Sequence, residues 1–449
     1  MRQTLFLAFA MLATLLPSAG RGQSPVAEPA PLDDAPKWYK GNLHTHSLWS
    51  DGNDYPEMIV DFYARRDYHF LALSDHNILG VGQKWMGGKR VRPDGLDRYR
   101  KRFGENWVET RGQGKDLEVR LKPLGEYRPL FERAGRFLLF QGEELTDTFD
   151  KKPVHMGVTN VLEVIPAQGG KDVSDVMANN LAAVEAQSKK FGQPMLAHLN
   201  HPNFRWGVTA EELAMVTREH FFEVYNGHPG TNQLGDATHA PVERMWDIMN
   251  TLRIGEMNAA PLYGLGTDDS HNYFGEEGST PGRGWIEVRA RFLTPESLIH
   301  AMEAGDFYAS SGVRLKDVRY SAESRTLSVA VEPQGSARYT IRFTGTMKDY
   351  DRTRGPVLDA EGKPLPVTQR YSESVGKILA TVEGPVAEYR LTGDELYVRA
   401  TISSDQPPEN PSFPGQVAQA WTQPVGWVEW LAANRPPAGA QPEATPAPR

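Results

Sequence analysis

Gly41-Asn42-Leu43-His44-Thr45-His46 is followed closely by Ser50-Asp51-Gly52 and then by Ser74-Asp75-His76-Asn77. Side chains alternate in direction along an extended segment, so His44 and His46 project to the same side. A carboxylate (Asp51) and a third imidazole (His76) lie close downstream. The chain has no Cys, so a transition metal at this place rests on imidazole and carboxylate. That donor set suits Zn, Mn or Fe.

Outward from this stretch, short apolar runs alternate with amphipathic ones between residues 38 and 312. Strands are expected at Phe70 to Ser74, Phe137 to Phe140, Met195 to Leu199, Phe221 to Tyr225, Tyr263 to Gly266 and Trp285 to Arg289. Helices are expected at Pro56 to Arg66, Val173 to Phe191, Thr209 to Val216, Val242 to Leu252 and Pro295 to Ala304. Thr294-Pro295-Glu296-Ser297 is a good helix start, with a Thr cap and Pro just inside. Alternation of this kind marks an α/β chain with a parallel sheet or a βα barrel. Beyond Gly312 the pattern changes to alternating strands at Leu327 to Val331, Tyr339 to Phe343 and Leu396 to Ile402, which suggests a small antiparallel sandwich over 313–432.

The 449 residues suffice for two domains with real cores, and 24% charged residues is ordinary for a globular chain. A net charge of -8 argues against a general nucleic-acid binder, which needs a basic field. Residues 1–23 read as a secretion signal: Arg2, the apolar run Leu5 to Leu16, then Ser18-Ala19-Gly20. The mature protein is therefore expected outside the cytoplasm, periplasmic or extracellular. That run is too short to span a bilayer, and no later one is long enough. Residues 24–37 read as a Pro/Ala linker and 433–449 as a disordered tail. Residues 81–135 interrupt the alternation with 14 Lys/Arg against 8 Asp/Glu.

Polar motifs fall where the expected strands end, which is where a βα barrel gathers its catalytic groups. They are His44-Thr45-His46 with Asp51, Asp75-His76, Gly142-Glu143-Glu144, His155, His198-Leu199-Asn200-His201-Pro202, Glu223-Val224-Tyr225-Asn226 and Asp268-Asp269-Ser270-His271. Each alone reads as a cap, a turn or solvated charge. As an ordered set, HxH with SDG, SDH, G-x-E, HP and a closing D-x-H, they resemble the PHP (polymerase and histidinol phosphatase) family of metallohydrolases over 38–312.

The resemblance implies a distorted (β/α)7 barrel holding two or three divalent metals. Residue by residue, it implies that His44, His46, Glu144 and Asp269 hold the first. Glu144 bridges to a second, completed by His155 and His201, and Asp51, His76 and His271 hold a third. Glu143 is adjacent to Glu144 and stays an alternative, as does His198 to His201. Asp75 and Glu223 are read as groups that orient ligand imidazoles. Arg205, with Trp206, is the best-placed contact for an anionic substrate. Lys84, Lys89, Arg90 and Arg92 of the basic segment are further candidates. Tyr273 and the loop to Gly284 are read as another wall of the pocket, and His228 as a histidine that follows a strand end. Metal-activated hydroxide and charge stabilisation suit attack on a phosphate ester of a small anionic molecule. The same metals can attack a carboxylic ester or amide, and a binding module on a decayed barrel is the alternative outside enzymes.

Overall fold

The computed structural model describes residues 35–275 and 278–434. The expected secretion signal, the linker up to residue 34 and the tail from residue 435 lie outside the described residues. One long mixed sheet organises the chain, with 13 strands. Its order begins Tyr263–Thr267, Phe221–Asn226, Leu196–Leu199, Lys152–Thr159, Leu138–Phe149, Phe70–Leu73, Lys37–Asn42, Trp285–Ala290 and Phe307–Ser310. It continues through Gln419–Thr422, Glu395–Ser404, Tyr339–Met347 and Lys377–Glu383.

Among the described residues, the parallel ladders join strands linked through helices: Lys37–Asn42 with Phe70–Leu73, Phe70–Leu73 with Leu138–Phe149, and Phe221–Asn226 with both neighbours. The local signals for those helices are physical. Val173–Phe191 starts on Asp172, whose carboxylate accepts from Asp175 N, and stops at Gly192 in the left-handed region (φ 65°). Pro295–Glu303 starts on Thr294, whose side chain accepts from Ser297 N.

Two features depart from the expected barrel. Leu138–Phe149 runs far beyond the expected strand and folds back antiparallel onto Lys152–Thr159. Asp150 and Lys151 make the turn, both with positive φ (45° and 67°), the backbone a two-residue hairpin needs. Further, among the described residues no ladder joins Tyr263–Thr267 to Trp285–Ala290 or Phe307–Ser310, so the ring of strands is not closed by regular pairing. Gly266 packs closely there without pairing: a Cβ on it would sit 2.7 Å from Trp285 O. A single parallel bridge, Thr45 to Ser270, joins the two ends at the rim.

The strands past residue 312 extend this same sheet and face a second one, Leu315–Ser321, Thr326–Val331 and Val386–Arg390, across an apolar layer that includes Leu327, Val329, Ile341, Phe343, Val398 and Ile402. Both parts belong to the unit that begins at Pro36. Gln423 also crosses from one to the other: its carboxamide accepts from Gly264 N (2.8 Å) and donates to Gly264 O (2.9 Å). It thereby satisfies backbone that an edge strand leaves open. The basic segment forms its own small antiparallel sheet, Lys84–Gly87, Glu118–Leu121 and Thr110–Arg111, with the helix Pro93–Phe103. No described helix is long and apolar enough to cross a membrane.

Candidate metal centre

Beneath the rim lies an apolar plug that includes Leu43, Phe70, Ala72, Phe140, Leu265 and Ile286. Just past the strand ends, backbone hydrogen bonds thread the rim together: Asp269 N to His44 O (2.9 Å), His46 N to Ser270 O (3.0 Å) and Ser74 N to Thr45 O (2.9 Å). His201 and Asp269 hold positive φ (24° and 48°), uncommon for residues with side chains and frequent at functional sites.

The side chains converge tightly. His44 Nε2 and His46 Nε2 are 3.1 Å apart. Glu144 Oε2 lies 3.5 Å from the first and 3.4 Å from the second, and Asp269 Oδ1 lies 3.3 and 3.2 Å from them. Glu144 Oε1 receives His155 Nδ1 (3.0 Å) and His201 Nε2 (3.1 Å), and Glu144 Oε2 lies 2.8 Å from His76 Nδ1. Asp51 reaches His271 Nε2 (3.3 Å), His76 Nε2 (3.4 Å) and His46 Nδ1 (3.6 Å). His44, His46 and Glu144 are fully buried, whereas the Asp51 side chain is 55% exposed. The cluster therefore opens to solvent on the Asp51 side.

Metal bonds of about 2.1 Å set the donors of a tetrahedral ion about 3.4 Å apart. The separations of Glu144 and of Asp269 from His44 and His46 match such an edge, so these donor types and spacings fit a divalent ion. Within 4.8 Å, mutually close donors fall into the sets His46-Asp51-His76-His271, His44-His46-Glu144, His44-His201-Asp269 and His76-Glu144-His155. His201 thus faces Asp269 as well as Glu144.

The electrostatics call for the same charge. Burial opposes a proton on His44, yet Asp269, Glu223 and Glu144 outweigh it and raise its pKa well above the usual histidine value. Against burial, the facing imidazoles, His44 foremost, hold Glu144 and Asp269 well below the usual carboxylate range. Against burial, Glu144 and Asp51 lift His76 to about 10. Burial, and then the nearby His271, push His46 down to about 4. Buried carboxylates in such number need positive charge from protons or from a cation.

The structure brings His44, His46, Asp51, His76, Glu144, His155, His201, Asp269 and His271 together. It leaves out two alternatives. Glu143 points away and accepts from Ile165 N (2.9 Å), with burial lifting its pKa to about 7. His198 lies against Gly157, its ring 3.8 Å from Glu223 and without a hydrogen bond among the described residues.

Glu223 does orient an imidazole: Oε1 takes His44 Nδ1 at 2.7 Å. Asp75 does not. Its carboxylate accepts from Ser47 N (2.8 Å), Ser47 Oγ (2.7 Å), Ser50 N (2.9 Å) and Ser50 Oγ (2.6 Å), so it holds the loop between His46 and Asp51. Arg205 is exposed over the Phe204 ring (5.3 Å), which in turn lies 5.1 Å from the His201 ring. Trp206 stacks on His239. Tyr273 is locked to the rim through His46 O (2.8 Å), and Asp268 pins the loop to Gly284 by accepting from the backbone of Gly282, Arg283 and Gly284. The His228 ring lies 5.6 Å from that of His271.

Sequence reading missed Asn200, whose Nδ2 donates to Glu144 Oε1 (2.9 Å), Thr146 against His76 Nδ1 (2.6 Å), and Asn226 and Thr267, which donate to Glu223 (2.7 Å each). The signal was present, since each is a polar residue within three positions of a flagged one.

Most of the candidate cations of the basic segment are engaged elsewhere, while Lys89 is exposed. Lys84 donates to Trp49 O and Arg90 to Ser50 O and Gly52 O. Arg98 pairs with Asp54 (3.0 Å), Arg102 with Asp61 (2.6 Å) and Lys122 with Glu109 (2.5 Å). Arg92 pairs with Asp94 (3.1 Å) and packs over Phe274. Among the described residues, every ion pair of Asp51, Glu144, Glu223 and Asp269 is with a histidine.

No protein-family model and no curated protein matches the chain. Among solved structures, it is similar to a two-domain protein from Bacteroides vulgatus said to contain a predicted PHP-like metal-dependent phosphoesterase. The likeness is 14% identity over 87% of this chain and 96% of that one, with a TM-score of 0.38. An amidohydrolase from Chromobacterium violaceum, with bound sulfate and no metal, is 15% identical over 53% of this chain and 89% of its own, with a TM-score of 0.27. These likenesses are slight, and what this chain can do is decided by its own side chains.

Proposed function

We propose that this chain is a metal-dependent hydrolase that cleaves phosphate esters of small molecules. His44, His46, Asp51, His76, Glu144, His155, His201, Asp269 and His271 would hold two or three divalent cations (Zn, Mn or Fe). One observation carries the reading: imidazole and carboxylate atoms converge at the separations of metal donors in a cluster whose carboxylates pair with histidines. When bound, the cations supply Lewis acidity, which yields hydroxide near neutral pH and neutralises charge built up in the transition state.

The chain's own residues do the rest. Glu223 accepts the Nδ1 proton of His44, which leaves the Nε2 lone pair facing the cluster. Asn200 donates to Glu144 Oε1 and fixes the carboxylate shared by the imidazoles. The exposed side at Asp51, His76 and His271 is where a substrate would enter. Export, as expected from residues 1–23, belongs to the same reading.

A second reading is a carboxylic ester or amide hydrolase with the same cluster. It is favoured by the engagement of Lys84, Arg90 and Arg98 with the loop Trp49 to Asp54, since these cations are then not disposed to meet a phosphate.

The test is to purify the chain, measure its metals, and assay Zn- and Mn-loaded forms on phosphomonoesters, phosphodiesters, carboxylic esters and amides. Cleavage of phosphate esters alone supports the first reading and of carboxyl derivatives alone the second. No metal and no cleavage would overturn both.

A further inference from the structure

Asp51 is the exposed member of the cluster, and its loop is held from two sides. From beneath, Asp75 gathers the backbone and hydroxyls of Ser47 and Ser50. Gly52 folds the loop back so closely that a Cβ there would lie 2.3 Å from His46 O. From outside, the guanidinium of Arg90 donates through Nη1 to Ser50 O and through Nη2 to Gly52 O (2.8 Å). These are the carbonyls on either side of Asp51. Lys84 adds a donor to Trp49 O, and Arg98 anchors Asp54 (3.0 Å).

We infer that the basic segment 81–135 is a clamp that presents Asp51 to the cluster, with Arg90 as the positioning residue that decides whether the solvent-facing set His46-Asp51-His76-His271 holds an ion. This rests on the metal-centre reading above. The physical basis is the shape of the group. A planar guanidinium spans two acceptors in a fixed fork, so it fixes the Ser50–Asp51 and Gly52–Asn53 peptide planes, which bracket Asp51, as a point charge does not. A carboxylate on an exposed loop must lose both backbone and side-chain freedom before it can serve as a ligand. Fixing its backbone from outside removes part of that cost. Lys84 and Arg98 hold the two ends of the same loop, while Arg90 alone straddles the ligand. The buried sets around Glu144 share no backbone with this loop beyond His46, so they keep their geometry when the clamp is cut.

The test compares the full chain with Arg90→Gln, Arg90→Lys and Arg111→Gln. Arg111 pairs with Glu118 inside the segment (2.5 Å) and controls for general loosening. Each is stripped with chelator, then titrated with Zn and with Mn by equilibrium dialysis and elemental analysis, and melted in the metal-free state. The wild type is expected to bind a third ion. Arg90→Gln should keep the tighter ions and bind the third about tenfold to a hundredfold more weakly. Arg90→Lys should fall between, and Arg111→Gln should match wild type. The clamp is overturned if Arg90→Gln binds every ion as wild type does, if it loses all ions in proportion, or if Arg111→Gln weakens the third ion equally. A wild type holding two ions also overturns it and leaves the hydrolase reading standing. A wild type that binds none overturns the hydrolase reading itself.

Discussion

Replacing Glu223 with Gln tests the centre through a residue outside the ligand set. The carboxylate is fully buried and accepts four hydrogen bonds: His44 Nδ1 and Thr267 Oγ1 at Oε1, His201 N and Asn226 Nδ2 at Oε2, each 2.7 Å long. A carboxamide can accept on one side only. His201 N and Asn226 Nδ2 have no means to become acceptors, so the Gln oxygen turns to them and its amino group faces His44 and Thr267. The Thr267 hydroxyl can rotate and accept. The His44 ring can accept at Nδ1 only by moving its proton to Nε2, the atom 3.1 Å from His46 Nε2 and 3.3 Å from Asp269. The lone pair needed for a metal is then gone. If the proton stays, a buried donor is left without an acceptor, at about 1–3 kcal/mol. The expected loss in metal affinity is therefore about tenfold to a hundredfold, or about 1.4–2.8 kcal/mol. Competition against a chromogenic chelator reads the affinity, and melting with and without chelator separates it from folding. Affinity within about threefold of wild type would refute the tautomer argument.

Other outcomes follow from the same geometry. The double variant His44→Ala, His46→Ala should lose bound metal and hydrolysis together; retained activity on elemental analysis and assay would sink the mechanism. Asp75→Ala leaves the backbone N–H groups of Ser47 and Ser50 without their acceptor, worth about 1–3 kcal/mol each, whereas Asp75→Asn keeps Oδ1 and should melt near wild type. Equal melting of the two variants would contradict this. Burial lifts Glu219 to about 8 even though His220 N and Phe221 N donate to it. The folded state then binds this proton more tightly than the unfolded one, so stability falls as pH rises from the ordinary carboxylate range towards about 8, by at most about 1.4 kcal/mol per pH unit. Denaturant melts of Glu219→Gln should show a shallower fall, and a slope matching wild type would count against it. Gly266→Ala sets a Cβ 2.7 Å from Trp285 O and should cost about 1–3 kcal/mol in the same melts; an unchanged midpoint would show that the rim can move apart.

Much of the centre was legible because its chemistry is carried by residue types at fixed spacing. His44-Thr45-His46 reads as two donors on one face of extended chain, the rest of the ordered set including Asp269-Ser270-His271 came through the family resemblance, and strand ends could be located from apolar runs. Lys152–Thr159 was hidden because it holds Lys, Pro153 and Gly157, which argue against a strand, and its hairpin turns on Asp150-Lys151 without a glycine. His155 was flagged while its strand was not. The role of Asp75 was unreadable for another reason: its partners Ser47 and Ser50 become neighbours only once Phe70–Leu73 lies beside the first strand. The surplus of Lys and Arg in 81–135 was visible as a sum, but a sum does not say whether each charge meets a carbonyl, a carboxylate or a substrate. Alternation left a parallel sheet or a barrel open and the family resemblance implied the barrel; among the described residues a close approach at Gly266 and a single bridge stand where a closing ladder was expected.

The sheet that passes unbroken from Phe307–Ser310 to Gln419–Thr422 has a bearing on inheritance. A gene cut after residue 312 would give a product with a bare strand edge along Phe307–Ser310 and with Gly264 stripped of Gln423. Such an edge recruits other chains. The C-terminal strands therefore cannot be gained or shed as a cassette in the way linker-joined modules are. Descendants of this protein are expected to vary in loops and in the basic segment while keeping both halves of the sheet together.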